Sequence, residues 1–456
     1  MFDPIRRVKI QEKMKTSPHA FPRCANIVLL AIALCASPAR AAETVAIPKM
    51  TVKVSLSSPY YPVIVRGAEV KTLLGVPAAK IRAIARHGNA LEAIPFQIDR
   101  KDANGSYELA RNVTVNTSML GAADECVFMT ADAGERITLI PEQYAQQPAV
   151  EIALVDPKSG AQKWVYLLVT NSAQNLPTPP SKYYVAYDPL RDVIETNAYR
   201  IGFSSDHPFM VSSLQWHTGE ASKWSPNLLD TMKIRHHGKL FGNIGFTRTQ
   251  DDYVSRIVAV KEGHVRIIRR TVNSVRVIGY LQSPSVTVDY VAYANGFQMD
   301  TTIDFPFPLG WFFSDIKTFT SIDWNDDPAL PGLRIHGGDT PKGLAVDGHM
   351  TPEKERFNKV AGQRFAVENA YGLLLVQLEM EKPLPVEVHL YLQDDRTRAD
   401  PPENIPGQYG NVGFLTTGWE KVGTSVHHLL FNVLLLQKTT MEQGSGMLGR
   451  YPWKTP

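Results

Sequence analysis

The stretch VTVDYVAYANGFQMDTTIDF, residues 286–305, decides the fold class. Apolar and polar residues alternate on both sides of Asn295-Gly296, the pattern of two half-buried strands joined by a tight turn. A turn centred there sets Ala294 opposite Phe297, Ala292 opposite Met299, Tyr290 opposite Thr301 and Val288 opposite Ile303. One face is then mostly apolar. The other collects Thr287, Asp289, Tyr293, Gln298, Asp300, Thr302 and Asp304. Because one register sorts the residues so cleanly, an antiparallel hairpin is expected.

Working outward, Val52–Leu56 and Val386–Leu392 show the same period of two. The continuous apolar runs Trp164–Val169 and Leu373–Val376 predict strands buried on both faces. Glu262-Gly263 suits a second two-residue turn. Helical patterns are scarce: Pro77–Arg86 fits one, and Val426–Gln437 fits helix or strand. Thirty-two prolines suit many loops between short strands. The expected class is all-β, two antiparallel β-sandwich domains with the second larger and few helices. The polar, proline-rich NSAQNLPTPPS (Asn171–Ser181) marks a joint. It places a small domain over 42–172, a linker at 173–181 and a large domain over 182–456.

The N-terminus reads as an export signal over residues 1–41. Lys13, Lys15 and Arg23 precede the apolar run Ala25–Ala36, Ser37-Pro38 breaks it, and Ala39-Arg40-Ala41 offers small residues for cleavage. About a dozen apolar residues fall short of the roughly 20 that span a bilayer, so the processed chain is expected not to be transmembrane. The whole chain has 48 basic and 45 acidic residues; removing the leader's seven and two leaves 41 against 43, a net of −2. A near-neutral chain excludes nucleic-acid binding through bulk charge. Only Cys126 of three cysteines would survive processing, which fits the periplasm of a Gram-negative bacterium, or secretion, without internal disulfides. Cys126 itself reads as a buried, inert thiol.

The segments Ile94-Pro-Phe-Gln-Ile-Asp99, Asp102-Ala-Asn-Gly105 and Asp124-Glu-Cys-Val-Phe-Met-Thr-Ala-Asp-Ala-Gly134 resemble a pattern of uncharacterised secreted bacterial proteins. No activity attaches to that pattern. The second domain is similar in outline to the galactose-mutarotase-like folds of carbohydrate enzymes, which implies a β-sandwich and no particular residue.

No nucleophile elbow, Walker loop, zinc-protease helix, dinucleotide fingerprint or c-type haem motif is present. Positive candidates are four. Asp289 lies diagonal to Asp300 and Asp304 at roughly 7–8 Å in the register above, a spacing suited to a glycosidic bond, a cation such as Ca²⁺, or simply a wetted sheet face. His207, His217, His236 and His237 cluster in sequence and invite a transition metal, although the neighbours His236 and His237 must point to opposite faces of any strand. Asp323–Asp327 and the loop Asp394–Glu403 are acid-rich but match no calcium loop. Finally, Phe305–Phe313 concentrates five aromatics around Trp311, a surface that could stack on a sugar or anchor a partner. Together these predict a ligand site of Asp289, Asp300, Asp304, Trp311 and His217, with no required cofactor. The expected function is an exported envelope protein that binds a glycan or partner protein without catalysis. The alternative is a carbohydrate-active enzyme of lyase, hydrolase or epimerase type using the hairpin carboxylates.

Overall fold

Residues 286–305 form the expected hairpin, Val286–Tyr293 against Gly296–Phe305. Its register is shifted by two from the one the turn rule gives, with the turn still two residues long: Asp289 faces Asp300, Tyr290 faces Met299 and Ala292 faces Phe297. A shift of two preserves both faces, since strand side chains repeat every two residues. The cause is tertiary. The Tyr199 hydroxyl donates to the carbonyls of Tyr293 and Gly296 at 3.0 and 2.8 Å, and the Leu435 N–H donates to the Asn295 carbonyl at 2.7 Å. These contacts fix Ala294 and Asn295 as the turn.

The structure, a computed structural model, describes residues 47–56, 61–109, 118–137, 147–170, 183–219, 223–278, 281–325, 332–338, 340, 342–399 and 409–444. These lie in one compact unit, Val45–Pro456. The expected leader at 1–41 and linker at 173–181 fall outside the described residues. Among the described residues the architecture is all-β, with several mostly antiparallel sheets and two short α-helices, Pro352–Phe357 and Met441–Gly444. No helix among the described residues is long and apolar enough to cross a membrane.

Two sheets from the second half of the chain face each other. The ten-stranded sheet runs Tyr253–Lys261, Ile267–Ile278, Val286–Tyr293, Gly296–Phe305, Ser425–Gln437, Gly372–Met380, Arg364–Asn369, Arg334–His336 and Leu344–Ala345, with Leu281–Gln282 beside Ile267–Ile278. Ser425–Gln437 is its middle strand. Leu429–Leu436 is apolar except for the buried Asn432, and paired neighbours on each side settle the helix-or-strand ambiguity as strand. The five-stranded sheet runs Ile244–Thr249, Leu229–Leu240, Phe313–Trp324, Asn411–Thr417 and Glu387–Gln393. Burying a side chain such as Leu434 or Phe414 contributes about 1.5–3 kcal/mol each.

The first half supplies a five-stranded sheet (Lys49–Lys53, Ala149–Val155, Gln162–Val169, Ile81–His87, Ala90–Ala93) and a three-stranded one (Pro62–Arg66, Glu125–Met129, Gln97–Asp99). The helix expected over Pro77–Arg86 is instead a short 3₁₀ turn, Ala78–Lys80, leading into the strand Ile81–His87. Pairing with Gln162–Val169 outweighs a weak local preference. Cys126 is fully buried, and burial pushes its thiol far above the ordinary range, consistent with an inert group.

The Glu262-Gly263 turn also departs from expectation. The flanking strands last pair at Lys261 and Ile268, so the connection is longer than two residues. It carries Val265 and Arg266, whose N–H groups reach the Gln97 side-chain oxygen at 3.3 and 3.2 Å. A Cβ on Gly263 would lie 1.9 Å from that oxygen, so any side chain there would push Gln97 away from the Val265 and Arg266 N–H groups. Arg266 continues the junction between the two halves. It is fully buried and donates to Asp99, Glu125 and the Tyr293 hydroxyl at 2.7, 2.7 and 2.8 Å. Lys261 adds a 2.6 Å bond to Asp99. Burial pushes the Asp99 carboxyl up, but Arg266 and Lys261 outweigh it and hold it below the ordinary range.

Candidate functional site

Asp289, Asp300 and Asp304 share the face of the ten-stranded sheet that points away from the five-stranded one. Asp289 is engaged there: Arg270, its partner across the strand pair, donates from Nε and Nη2 at 2.6 Å each. Burial raises the Asp289 carboxyl above its ordinary range against that pull. Asp300 meets His428 Nδ1 at 3.0 Å, with Thr302 Oγ1 at 3.2 Å from the same nitrogen and Glu381 3.9 Å from Nε2. Asp304 is exposed, opposite Val426. The shifted register thus brings Asp289 and Asp300 directly opposite, and the histidine on Asp300 is His428.

Phe305–Phe313 is directed elsewhere. Phe305, Phe307, Leu309, Phe312 and Phe313 line space on the inner side, between the two large sheets, while Trp311 is 69% exposed. His217 follows Val211–Trp216, the edge strand of a separate four-stranded sheet, bridged to Trp224 and accepting the Gly219 N–H at 3.1 Å. His207 contacts Asp251 at 3.3 Å. The predicted five residues are therefore not gathered into one groove. Among the described residues, no group of three or more His, Cys, Asp or Glu side chains is placed to hold a metal ion. Of the acid-rich loop after Gln393, 400–403 lie outside the described residues; Asp394 takes the buried ammonium of Lys354, which also bonds Asp347 at 2.6 Å. Asp323 is likewise paired, with Lys233 at 2.5 Å.

The outer face of the five-stranded sheet holds a polar cleft of about 570 Å³. Its floor comes from alternate residues of three strands: Arg235 and His237, Phe319, and Tyr391 with Gln393. The short helix Pro352–Phe357, capped by Thr351 and pinned through Lys354, brings Glu355, Asn358 and Lys359 to one side, and Asp395 and Arg398 close another. Arg235 lies over the Phe319 and Tyr391 rings and donates to Ser321 Oγ at 3.3 Å. Gln393 is 6% exposed, yet its side-chain nitrogen has no hydrogen-bond partner among the described residues. Such a buried donor costs about 1–3 kcal/mol unless something accepts from it.

The field in the cleft is positive. Burial, Arg235 and Lys317 all hold the His237 imidazole below its ordinary range, hence neutral at pH 7. Of the two acids, Asp395 is held low by the Thr397 hydroxyl and N–H, at 2.7 and 2.9 Å. Donors therefore outnumber free acceptors, an arrangement fitted to an anionic, oxygen-rich ligand. Of these residues, His237 and the loop positions Asp395 and Arg398 drew notice in the sequence. Tyr391 and Gln393 sit on the polar side of the Val386–Leu392 alternation, but their meeting with Arg235 depends on long-range pairing that no local turn encodes.

No protein-family model and no curated protein matches the chain. Among solved structures it is similar to an alpha-mannosidase from Enterococcus faecalis V583, with TM-score 0.44 and 11% identity over 87% of this chain and 44% of that one. It is also similar to a glycosyl hydrolase family 38 protein from Enterococcus faecalis, with TM-score 0.43 and 10% identity over 88% of this chain and 46% of that one. The chain spans less than half the length of either, and likeness at this level is one of outline.

Proposed function

We propose that the chain is an exported binding protein for an acidic saccharide, held without catalysis in the cleft over Arg235. The observation that carries this reading is the buried amide nitrogen of Gln393, without a hydrogen-bond partner among the described residues, beside a guanidinium and two aromatic rings. Sugar hydroxyls accept from such amides, a uronate carboxylate pairs with Arg235, Lys359 or Arg398, and ring faces take the apolar side of a pyranose. Titration calorimetry with uronate-bearing and neutral oligosaccharides tests it. Acidic oligosaccharides should bind at least tenfold more tightly than neutral ones, and Gln393→Leu and Lys359→Gln should each weaken them. Equal weak binding of both classes, unchanged by either substitution, would refute it.

A second reading, a carbohydrate-active enzyme, draws on the opposite pair Asp289 and Asp300. One carboxyl is raised by burial and the other touches His428, which are features of acid–base groups. Turnover of a glycan that is lost in Asp300→Asn, with folding intact, would favour this reading over simple binding.

A further inference from the structure

We infer that the space between the two facing sheets is a binding site for the alkyl chain of a single-chain lipid. It stands apart from the saccharide cleft, on the other side of the five-stranded sheet. The cavity measures about 810 Å³. Protein interiors are packed nearly as densely as organic crystals and leave few voids larger than a water molecule, so a space this size is out of place as mere imperfect packing. It falls within the range of small-molecule pockets, about 300–1,000 Å³.

The walls identify the ligand. Met232, Ile234 and Phe414 approach from one sheet and Val288, Met299, Ile303, Leu378 and Leu429 from the other. Two methionines among them adapt to a flexible chain. Polar wall groups are turned back on the protein. His236 is bonded by Thr318 Oγ1 at 2.9 Å and the Tyr253 hydroxyl at 2.8 Å, and Trp419 donates to Thr416 Oγ1 at 2.9 Å. No polar side-chain atom of a lining residue is left buried without a partner among the described residues. Such a cavity makes no demand for water and offers a long hydrocarbon its most favourable surroundings. The cleft outside, where the Gln393 nitrogen has no partner among the described residues, is the opposite case.

Depth and access also fit a chain rather than a compact ligand. Met232, Met299, Phe414 and Leu378 at the inner end are buried, and a smaller void of about 60 Å³ continues past them toward Tyr290 and Phe297. At the other end stand Phe312 and Phe241, 38% and 65% exposed, with ring centroids 6.1 Å apart. Phe241 has φ +49°, a left-handed conformation that is costly for an aromatic residue. The turn holds a large apolar ring at the mouth despite that strain. A lipid tail enters between these rings, and its headgroup stays in solvent.

The test uses the full processed chain, stripped of lipid on a hydrophobic resin. A dansyl-labelled undecanoic acid should bind saturably at one to one with a blue-shifted emission. Oleate and a monoacyl phosphatidylcholine should both displace it if the tail alone is recognised, and only oleate if a carboxylate is needed as well. Octanoate should compete at least tenfold more weakly than oleate. Oleate should raise the melting temperature of the wild-type protein, because a ligand that binds only the folded state stabilises it. Ile303→Trp, which fills the cavity from its wall, should weaken the probe at least tenfold. Absence of saturable probe binding together with no oleate-induced rise in melting temperature overturns the inference. So does probe binding by a folded Ile303→Trp protein that equals wild type. No saccharide is present in this titration, so its failure leaves the cleft reading standing, and the reverse also holds.

Discussion

His236 and His237 are neighbours in the strand Leu229–Leu240, yet they serve opposite sides of the sheet. His236 lies between Thr318 and Tyr253 on the cavity wall, and His237 touches Thr247 Oγ1 at 3.0 Å beside the outer cleft. Alternation of side chains along a strand requires this division. It means that one peptide unit couples the two candidate sites, and that a shift of this strand would alter both.

Acid should destabilise the fold through His236. Burial holds its imidazole at about 4, against an ordinary value near 6.5. The folded state therefore binds fewer protons than the unfolded one between these values. Stability from this group is complete above about pH 6.5 and declines as pH falls toward 4, by at most about 3 kcal/mol. Urea midpoints at pH 7 and pH 4.5 for wild type and His236→Gln would check it. The variant should lose much less on acidification, and an equal loss in both would remove His236 as the cause.

Arg266 should be the most sensitive single position at the junction of the two halves. Arg266→Met leaves Asp99 and Glu125 buried with less compensation, and removing one partner of a buried network costs about 3–5 kcal/mol. Denaturant unfolding measures this directly. The same bonds predict that a chain nicked within 171–182 elutes as one species, because Arg266 and Lys261 hold Asp99 and Glu125 across the cut. Separation of two folded fragments on a sizing column would contradict that.

The fold class was legible because period-two alternation is local. Residues 286–305 show which face is buried without any knowledge of their neighbours. The exact register was not legible, since Tyr199 and Leu435, far away in sequence, choose the turn residues. Gly263 looked like a turn glycine and is a close-approach glycine, a distinction made only by the Gln97 side chain. The carboxylates were seen but their engagement was not: Arg270 and His428 lie on strands whose pairing follows from topology. Gln393 and Arg235 were missed for the same reason, since five strands had to be ordered before they met.

Arg270→Met should destabilise more than the loss of one surface ion pair. Asp289 is buried, so the substitution strands its carboxylate; a loss of about 3 kcal/mol or more is expected. Adding Asp289→Leu should recover most of it, because the stranded charge is gone. A double-mutant cycle by thermal melting decides the matter. If the single variant is near neutral, Asp289 is protonated in the wild type and free to act as an acid.

Trp311 offers the last contrast, because the sequence expectation for it and its position give separable results. It is 69% exposed, so Trp311→Ala opens no cavity and should change stability by within about 0.5 kcal/mol. Phe414→Ala, by comparison, removes a buried ring from the cavity wall and should cost about 3–5 kcal/mol. If Trp311 is the stacking surface that the Phe305–Phe313 aromatics suggest, its loss weakens a sugar or partner by about 1–3 kcal/mol with the fold intact. Melting temperature and ligand titration on the same sample separate these effects. An unfolded Trp311→Ala protein would show that the indole is packed, which its exposure argues against. A folded one that binds acidic saccharides as wild type does would confine saccharide recognition to the cleft on the other face of the sheet.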